Sequence, residues 1–259
     1  MKILCVGDSH SRLLGAESSE RNFRYGRVCP VEISGFEEAH VLAIKGATAA
    51  GFRPTTKKNS SFDAAKNAIE SLDPDLVSFG FGQVDAELSC YFVAIRDQVD
   101  LDTAIQSRID QLSHYLLFCQ QAAPNRRVLV KGLNTSTLHR KYQLHNMLLE
   151  TLPNQLGLTQ DAFVDWLRQN QINIKRHREI NERIAGELQK QAEAAGISYF
   201  DIRNHTGLAD QPGLTNPEFC GRKRDVHLKR SLEIEACFSE LLTRLARETA
   251  DVSMLGRYA

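Results

Sequence analysis

Four residues near the N-terminus, Gly7-Asp8-Ser9-His10, follow the first apolar run and carry groups able to do chemistry. Three uses fit them. Ser9 can serve as a nucleophile if a histidine takes its proton and a carboxylate orients that histidine. Asp8 and His10, two positions apart, can instead ligate metal ions that activate water. Asp8 or Ser9 can also simply cap a turn between a strand and a helix. Each use requires different companions later in the chain.

Three later stretches supply candidates. Lys45-Gly46-Ala47-Thr48-Ala49-Ala50-Gly51 and Phe79-Gly80-Phe81-Gly82-Gln83-Val84-Asp85 each follow an apolar run, and Arg224-Asp225-Val226-His227-Leu228 precedes a C-terminal helical pattern. For a serine nucleophile, Ser9 finds a base in His227 and an orienting acid in Asp225. An oxyanion needs donors: the N–H groups of Ser9 and Gly46 and the side-chain amide of Gln83 are the candidates. Asp8 and Asp85 are supporting residues that organise turns and neighbouring loops. The metal reading, a metallophosphoesterase using Asp8 and His10, requires Gly-Asp-x-x-Asp and Gly-Asn-His, and neither occurs. It falls behind, and no metal or other cofactor is expected. His114, His139, His145, His177 and His205 have no partners at informative spacing, and His10 is left without a role.

These residues need elements to hold them. Five β-rich apolar runs, Lys2–Val6, His40–Ile44, Leu76–Phe81, Arg127–Val130 and Ile197–Ile202, are near-continuous, as in strands covered on both faces. Helical stripes lie between them: Leu101, Ile105, Ile109, Leu112 and Leu116, then Ile180, Ile184 and Leu188, then Leu228, Leu232, Cys237, Leu241 and Leu245. Alternation of this kind predicts an α/β fold, a doubly wound parallel five-stranded sheet between helices, with its site at the carboxyl ends of the strands. Residues 134–171, broken by Pro153-Asn154 and Gly157, read as a helical insertion near the active face of a single domain spanning 1–259.

The order and spacing of these blocks resembles the SGNH (GDSL-like) hydrolase family. Its Gly-Asp-Ser after the first strand is matched by Gly7-Asp8-Ser9, its oxyanion glycine by Gly46, and its last block by Asp225 and His227. Two positions depart from the family pattern. Val84 stands where the family's Gly-x-Asn-Asp has its asparagine, and Asp225-x-His227 is one residue shorter than Asp-x-x-His. The resemblance implies a three-layer flavodoxin-like fold and ester hydrolysis or acyl transfer on O-acylated, notably acetylated, sugars or small esters. Because of the departures, a catalytically impaired glycan-binding or scaffold protein on the same fold stays as the alternative.

Bulk properties narrow the partners. Lys+Arg and Asp+Glu number 32 each, so a sequence-independent nucleic-acid binder is not expected. The Arg222-Lys223-Arg224 run reads as a solvated loop or a site for an anionic substrate group. Six cysteines form no CxxC and no zinc spacing. A strand from the second residue leaves no room for a signal peptide, and no apolar stretch approaches the ~20 residues of a membrane span. A cytoplasmic protein acting on a small-molecule or glycan ester is the expectation.

Overall fold

The first apolar run forms β1 (Lys2–Gly7), whose side chains alternate between two hydrophobic cores. Leu4 and Val6 face one core, and Ile3 and Cys5 the other. A strand buried on both faces belongs in the middle of a sheet. The computed structural model describes residues 1–14, 24–56, 60–221, 227–229 and 231–255. Among them β1 sits within a six-stranded sheet ordered β2-β3-β1-β4-β5-β6. The others are β2 (Val28–Val31), β3 (Glu38–Ala43), β4 (Leu76–Gly80), β5 (Arg127–Lys131) and β6 (Ser198–Phe200).

All pairs are parallel except β2 with β3. The five parallel strands are those expected from the apolar runs, shifted at their ends by a residue or two. β2 is the addition. Its residues alternate between exposed and buried and include Pro30, so it has the period and composition of an edge strand, not of a continuous apolar run. A small hairpin, β7 (Gly207–Leu208) with β8 (Gln211–Thr215), lies apart from the sheet.

The described residues also form α1 (Ser61–Leu72), α2 (Cys90–Arg96), α3 (Leu101–Ala122), α4 (Lys141–Leu156), α5 (Gln160–Gln169), α6 (Ile174–Ala194), the short α7 (Arg203–Thr206) and α8 (Leu232–Leu255). Ser60, Asp100, Thr159 and Asn173 cap α1, α3, α5 and α6, each accepting a backbone N–H with its side chain. Helices α1 to α6 contribute to the core on one face, and α8 covers the other.

Every residue of the predicted α3 and α6 stripes is buried. The predicted C-terminal stripe is corrected. Leu228 precedes α8, Leu232 is exposed, and the face that meets the sheet carries Ile234, Phe238, Leu242 and Ala246. Within 134–171, Pro153 lies inside α4, and the helix ends at Gly157, whose φ of 67° closes it in the left-handed region. Leu144, Leu148, Phe163 and Leu167 anchor α4 and α5 in the same core as α3 and α6.

The order β3-β1-β4-β5-β6 reverses winding at β1, and a crevice opens beyond the carboxyl ends of β1 and β4. Gly7 and Gly80 stand opposite each other at that edge.

Candidate active site

The turn after β1 is built by short side chains. A Cβ on Gly7 would collide with Ser11 Oγ and the Gly80 carbonyl, so only glycine lets the two strands meet there. The Asp8 N–H donates to the Gly80 carbonyl at 3.1 Å, and Asp8 Oδ1 accepts the His10 N–H at 2.9 Å. Asp8 thus starts the 3-10 turn Ser9–Leu13 and presents Ser9 at its first position. Ser9 Oγ lies 2.8 Å from His227 Nε2, although 218 residues separate them. Asp225 and the Arg222-Lys223-Arg224 run lie outside the described residues.

His10 acquires a place. Its ring stacks on that of His227, with centroids 4.2 Å apart and planes inclined by 30°. Its Nε2 is 3.4 Å from Glu87 Oε2, and both side chains are buried. Glu87 belongs to a π-helical turn, Asp85–Ser89, that follows β4. Such turns put an extra residue into a helix and re-aim the side chains around it.

Gln83 is the correction. It is buried, and its Nε2 donates to Glu87 Oε1 at 2.8 Å and to the Asn134 carbonyl at 3.5 Å. Its Oε1 accepts the Asn134 N–H at 2.7 Å. The amide is spent on tying the turn after β4 to the segment after β5, and Gln83 does not line the cavity at Ser9. Val84 does.

Gly46 lines that cavity in the turn after β3, with φ of 70°, a conformation that favours glycine. Asp85 points elsewhere: its Oδ2 accepts the Ala49 N–H at 2.6 Å, bracing the loop that carries Gly46. Burial pushes the Asp85 carboxyl up to about 7, opposed by the Ala49 hydrogen bond and the Arg108 charge.

A second buried group lies under the turn. Lys131, the last residue of β5, donates through Nζ to Asn134 Oδ1 at 3.2 Å and to the Gly132 carbonyl at 3.1 Å. Burial lowers the Lys131 ammonium and raises the Asp8 carboxyl, while their mutual attraction opposes both shifts. Sequence reasoning missed Glu87, Lys131 and Asn134. A lysine ending an apolar strand, at the edge where such sheets place their sites, was the available signal for one of them.

Ser9, His10, Gly46, Val84, Glu87 and His227 open onto one cavity of about 540 Å³. Asp8 and His10 do not act as a pair there: Asp8 serves the backbone, while the His10 ring faces Glu87 and His227. Among the described residues no three His, Cys, Asp or Glu side chains are grouped to hold a metal ion. The arrangement expected of a metallophosphoesterase is not assembled from them.

Most of the chain superposes on solved structures of one architecture. A candidate acylhydrolase from Bacteroides fragilis NCTC 9343 matches at TM-score 0.51 and 10% identity, over 96% of this chain and 87% of that one. A GDSL-like lipase from Bacteroides thetaiotaomicron VPI-5482 matches at TM-score 0.50 and 11% identity, over 95% and 88%. The fold is that of the SGNH (GDSL-like) hydrolases. No family model matches the chain, and no curated protein matches it in sequence. On this fold the described groups on the cavity include a serine–histidine pair, a second histidine backed by a carboxylate, and an apolar residue at Val84. No helix among the described residues is long and apolar enough to cross a membrane.

Proposed function

We propose that the protein is a serine-dependent esterase or O-acyltransferase acting on an O-acylated carbohydrate or other small ester. The observation that carries this reading is the 2.8 Å contact between Ser9 Oγ and His227 Nε2 on an SGNH-like fold. The esterase-type descriptions of the two structural neighbours support it.

In this mechanism His227 takes the Ser9 proton as Oγ attacks the acyl carbonyl. The N–H groups of Ser9 and Gly46 receive the oxyanion, each such donor being worth roughly 10²–10³ in turnover. The C–O bond to the alcohol then breaks, and the alcohol leaves with the proton from His227. Water, or an acceptor hydroxyl in a transferase, gives its proton to His227 and takes the acyl group, restoring Ser9. Asp225 is the assigned orienting acid. The His10 ring, stacked on His227 and backed by Glu87, is a positioning group that restricts how His227 can turn.

Labelling with a serine-reactive fluorophosphonate, followed by peptide mass spectrometry, tests the reading. Modification at Ser9 that disappears in His227→Ala is the expected result. An unlabelled Ser9 in folded protein would overturn it.

A further inference from the structure

The cavity is larger than an acetyl ester requires. Its volume of about 540 Å³ falls in the range that encloses ligands of several functional groups. One wall is a helical stripe. Val84, Leu88 and Phe92 follow at four-residue steps from the turn after β4 into α2, and all three line the cavity. Leu152 of α4 lines it too. The stripe starts at Val84, in the same cavity as Ser9 and Gly46, where the acyl carbonyl would sit.

The charges on this cavity do not balance. Glu87 is engaged by Gln83 and His10. Arg96 is neutralised by Asp97, with contacts of 2.6 and 2.7 Å, and lies over the Phe92 ring. Arg108, reaching in from α3, is different. Its Nη1 donates to Ser89 Oγ at 3.4 Å, and its Nε is buried without a hydrogen-bond partner. Among the described residues no carboxylate lies within ion-pair distance, 4.0 Å, of Arg108 or of Lys45, the third cation on the cavity beside Arg96 and Arg108. Asp85 and Asp97 both feel the Arg108 charge, but neither comes within ion-pair distance of it; Asp85 Oδ2 accepts the Ala49 N–H, and Asp97 pairs with Arg96.

We propose that the site selects an acyl group with a short apolar chain ending in a carboxylate, the chain lying on the Val84–Leu88–Phe92 stripe and the carboxylate meeting Arg108. Ser89, where Arg108 is held, lies about one helical turn beyond Val84, so a short dicarboxylic acyl chain such as glutaryl is the probe. This rests on the serine reading of the site and narrows its substrate.

The test compares p-nitrophenyl acetate, butyrate, pentanoate and monoglutarate as substrates of the full chain. Butyrate is expected to exceed acetate in kcat/KM by roughly tenfold. Monoglutarate should exceed pentanoate, its neutral counterpart, by about tenfold. Arg108→Gln should bring that last ratio to about one, and Phe92→Ala should flatten the dependence on chain length. Acetate as the best substrate, or a glutarate-to-pentanoate ratio that Arg108→Gln leaves unchanged, would overturn the proposal. Failure to hydrolyse any of the four esters would count against the serine reading instead. The cavity is then read by calorimetry on Ser9→Ala protein: glutarate binding more tightly than pentanoate, with the advantage lost on adding Arg108→Gln, supports the proposal, and equal or absent binding overturns it.

Discussion

Gln83 and Glu87 face one way from the turn after β4, and Val84 and Leu88 face the other, so one stretch of chain builds both the floor and a wall of the cavity. The floor is polar and buried. Gln83 binds Glu87 and Asn134, Glu87 meets His10, and His10 stacks on His227. In a low dielectric such a network is rigid because each lost partner leaves an expensive orphan. The wall offers apolar surface without directional bonds, which tolerates change in what it touches. Floor substitutions should therefore act on kcat, and wall substitutions on which ester is preferred.

The largest effect belongs where floor and cavity meet. Ser9→Ala or His227→Ala is expected to cut ester turnover by about 10⁴–10⁶. Ser9 is half-buried at a turn, so circular dichroism melts of Ser9→Ala should stay near the native midpoint. Retained turnover in both variants would remove the reading of this floor as catalytic machinery.

Glu87→Gln tests the floor one step further back. The variant keeps the side chain's shape and its acceptor for Gln83 but loses the charge facing His10. Turnover should fall about tenfold to a hundredfold, roughly the scale of losing one charged hydrogen-bond partner. A change in kcat with KM retained marks a positioning role. A change confined to KM would place Glu87 with the wall instead.

The pairing of Ser9 with His227 was legible because both sit where chain order and strand ends make them visible: directly after β1 and shortly before α8. The direction in which Gln83 points was not. The π-helical turn at Asp85–Ser89 alters the phase of every side chain around it, and period counting assumes a regular helix. Glu87 was hidden for the same reason, since it becomes a neighbour of Gln83 and His10 only once that phase is known. The five parallel strands were readable from continuous apolar runs, whereas β2 alternates and carries a proline. In α8 two adjacent stripes compete. Cys237, Leu241 and Leu245 flank the core half-buried, while Ile234, Phe238 and Leu242 fill it, and hydrophobicity alone does not rank them.

Asp85 lies beneath both regions and predicts a pH dependence of stability. Burial raises its carboxyl from 3.8 to about 7 in the folded chain. Between these values the native state holds a proton that the unfolded state has released, so stability contributed by Asp85 is full at low pH and is lost as pH rises through about 7. From pH 5 to pH 8 the loss is roughly 2–3 kcal/mol. His177, which burial lowers to about 4, acts with the opposite sign below pH 6.5. The informative measurement is therefore the difference between native chain and Asp85→Asn in denaturant melts at the two pH values. Asparagine still accepts the Ala49 N–H and cannot ionise, so the variant should lose this slope. Parallel pH profiles for the two proteins would show that Asp85 is ionised throughout.

The mildest intervention exchanges the two chemistries at one position. Val84 lines the cavity at the position where the sequence resemblance places the family's asparagine, leaving the N–H groups of Ser9 and Gly46 as the oxyanion donors of the proposed mechanism. Val84 is half-buried in ordinary helical backbone, so Val84→Asn should be accommodated without strain. It adds an amide to the wall at the end nearest Ser9 and removes two methyl groups from the stripe. If the wall's apolar character at that point serves only chain binding, turnover of the acetate ester should rise about tenfold, a fraction of what a pre-organised donor is worth. The advantage of butyrate over acetate should shrink in the same variant, because the longer chain loses part of its contact. A fall in acetate turnover would mean that Val84 itself holds the ester in place, and the boundary between floor and wall would then move from Val84 to Leu88.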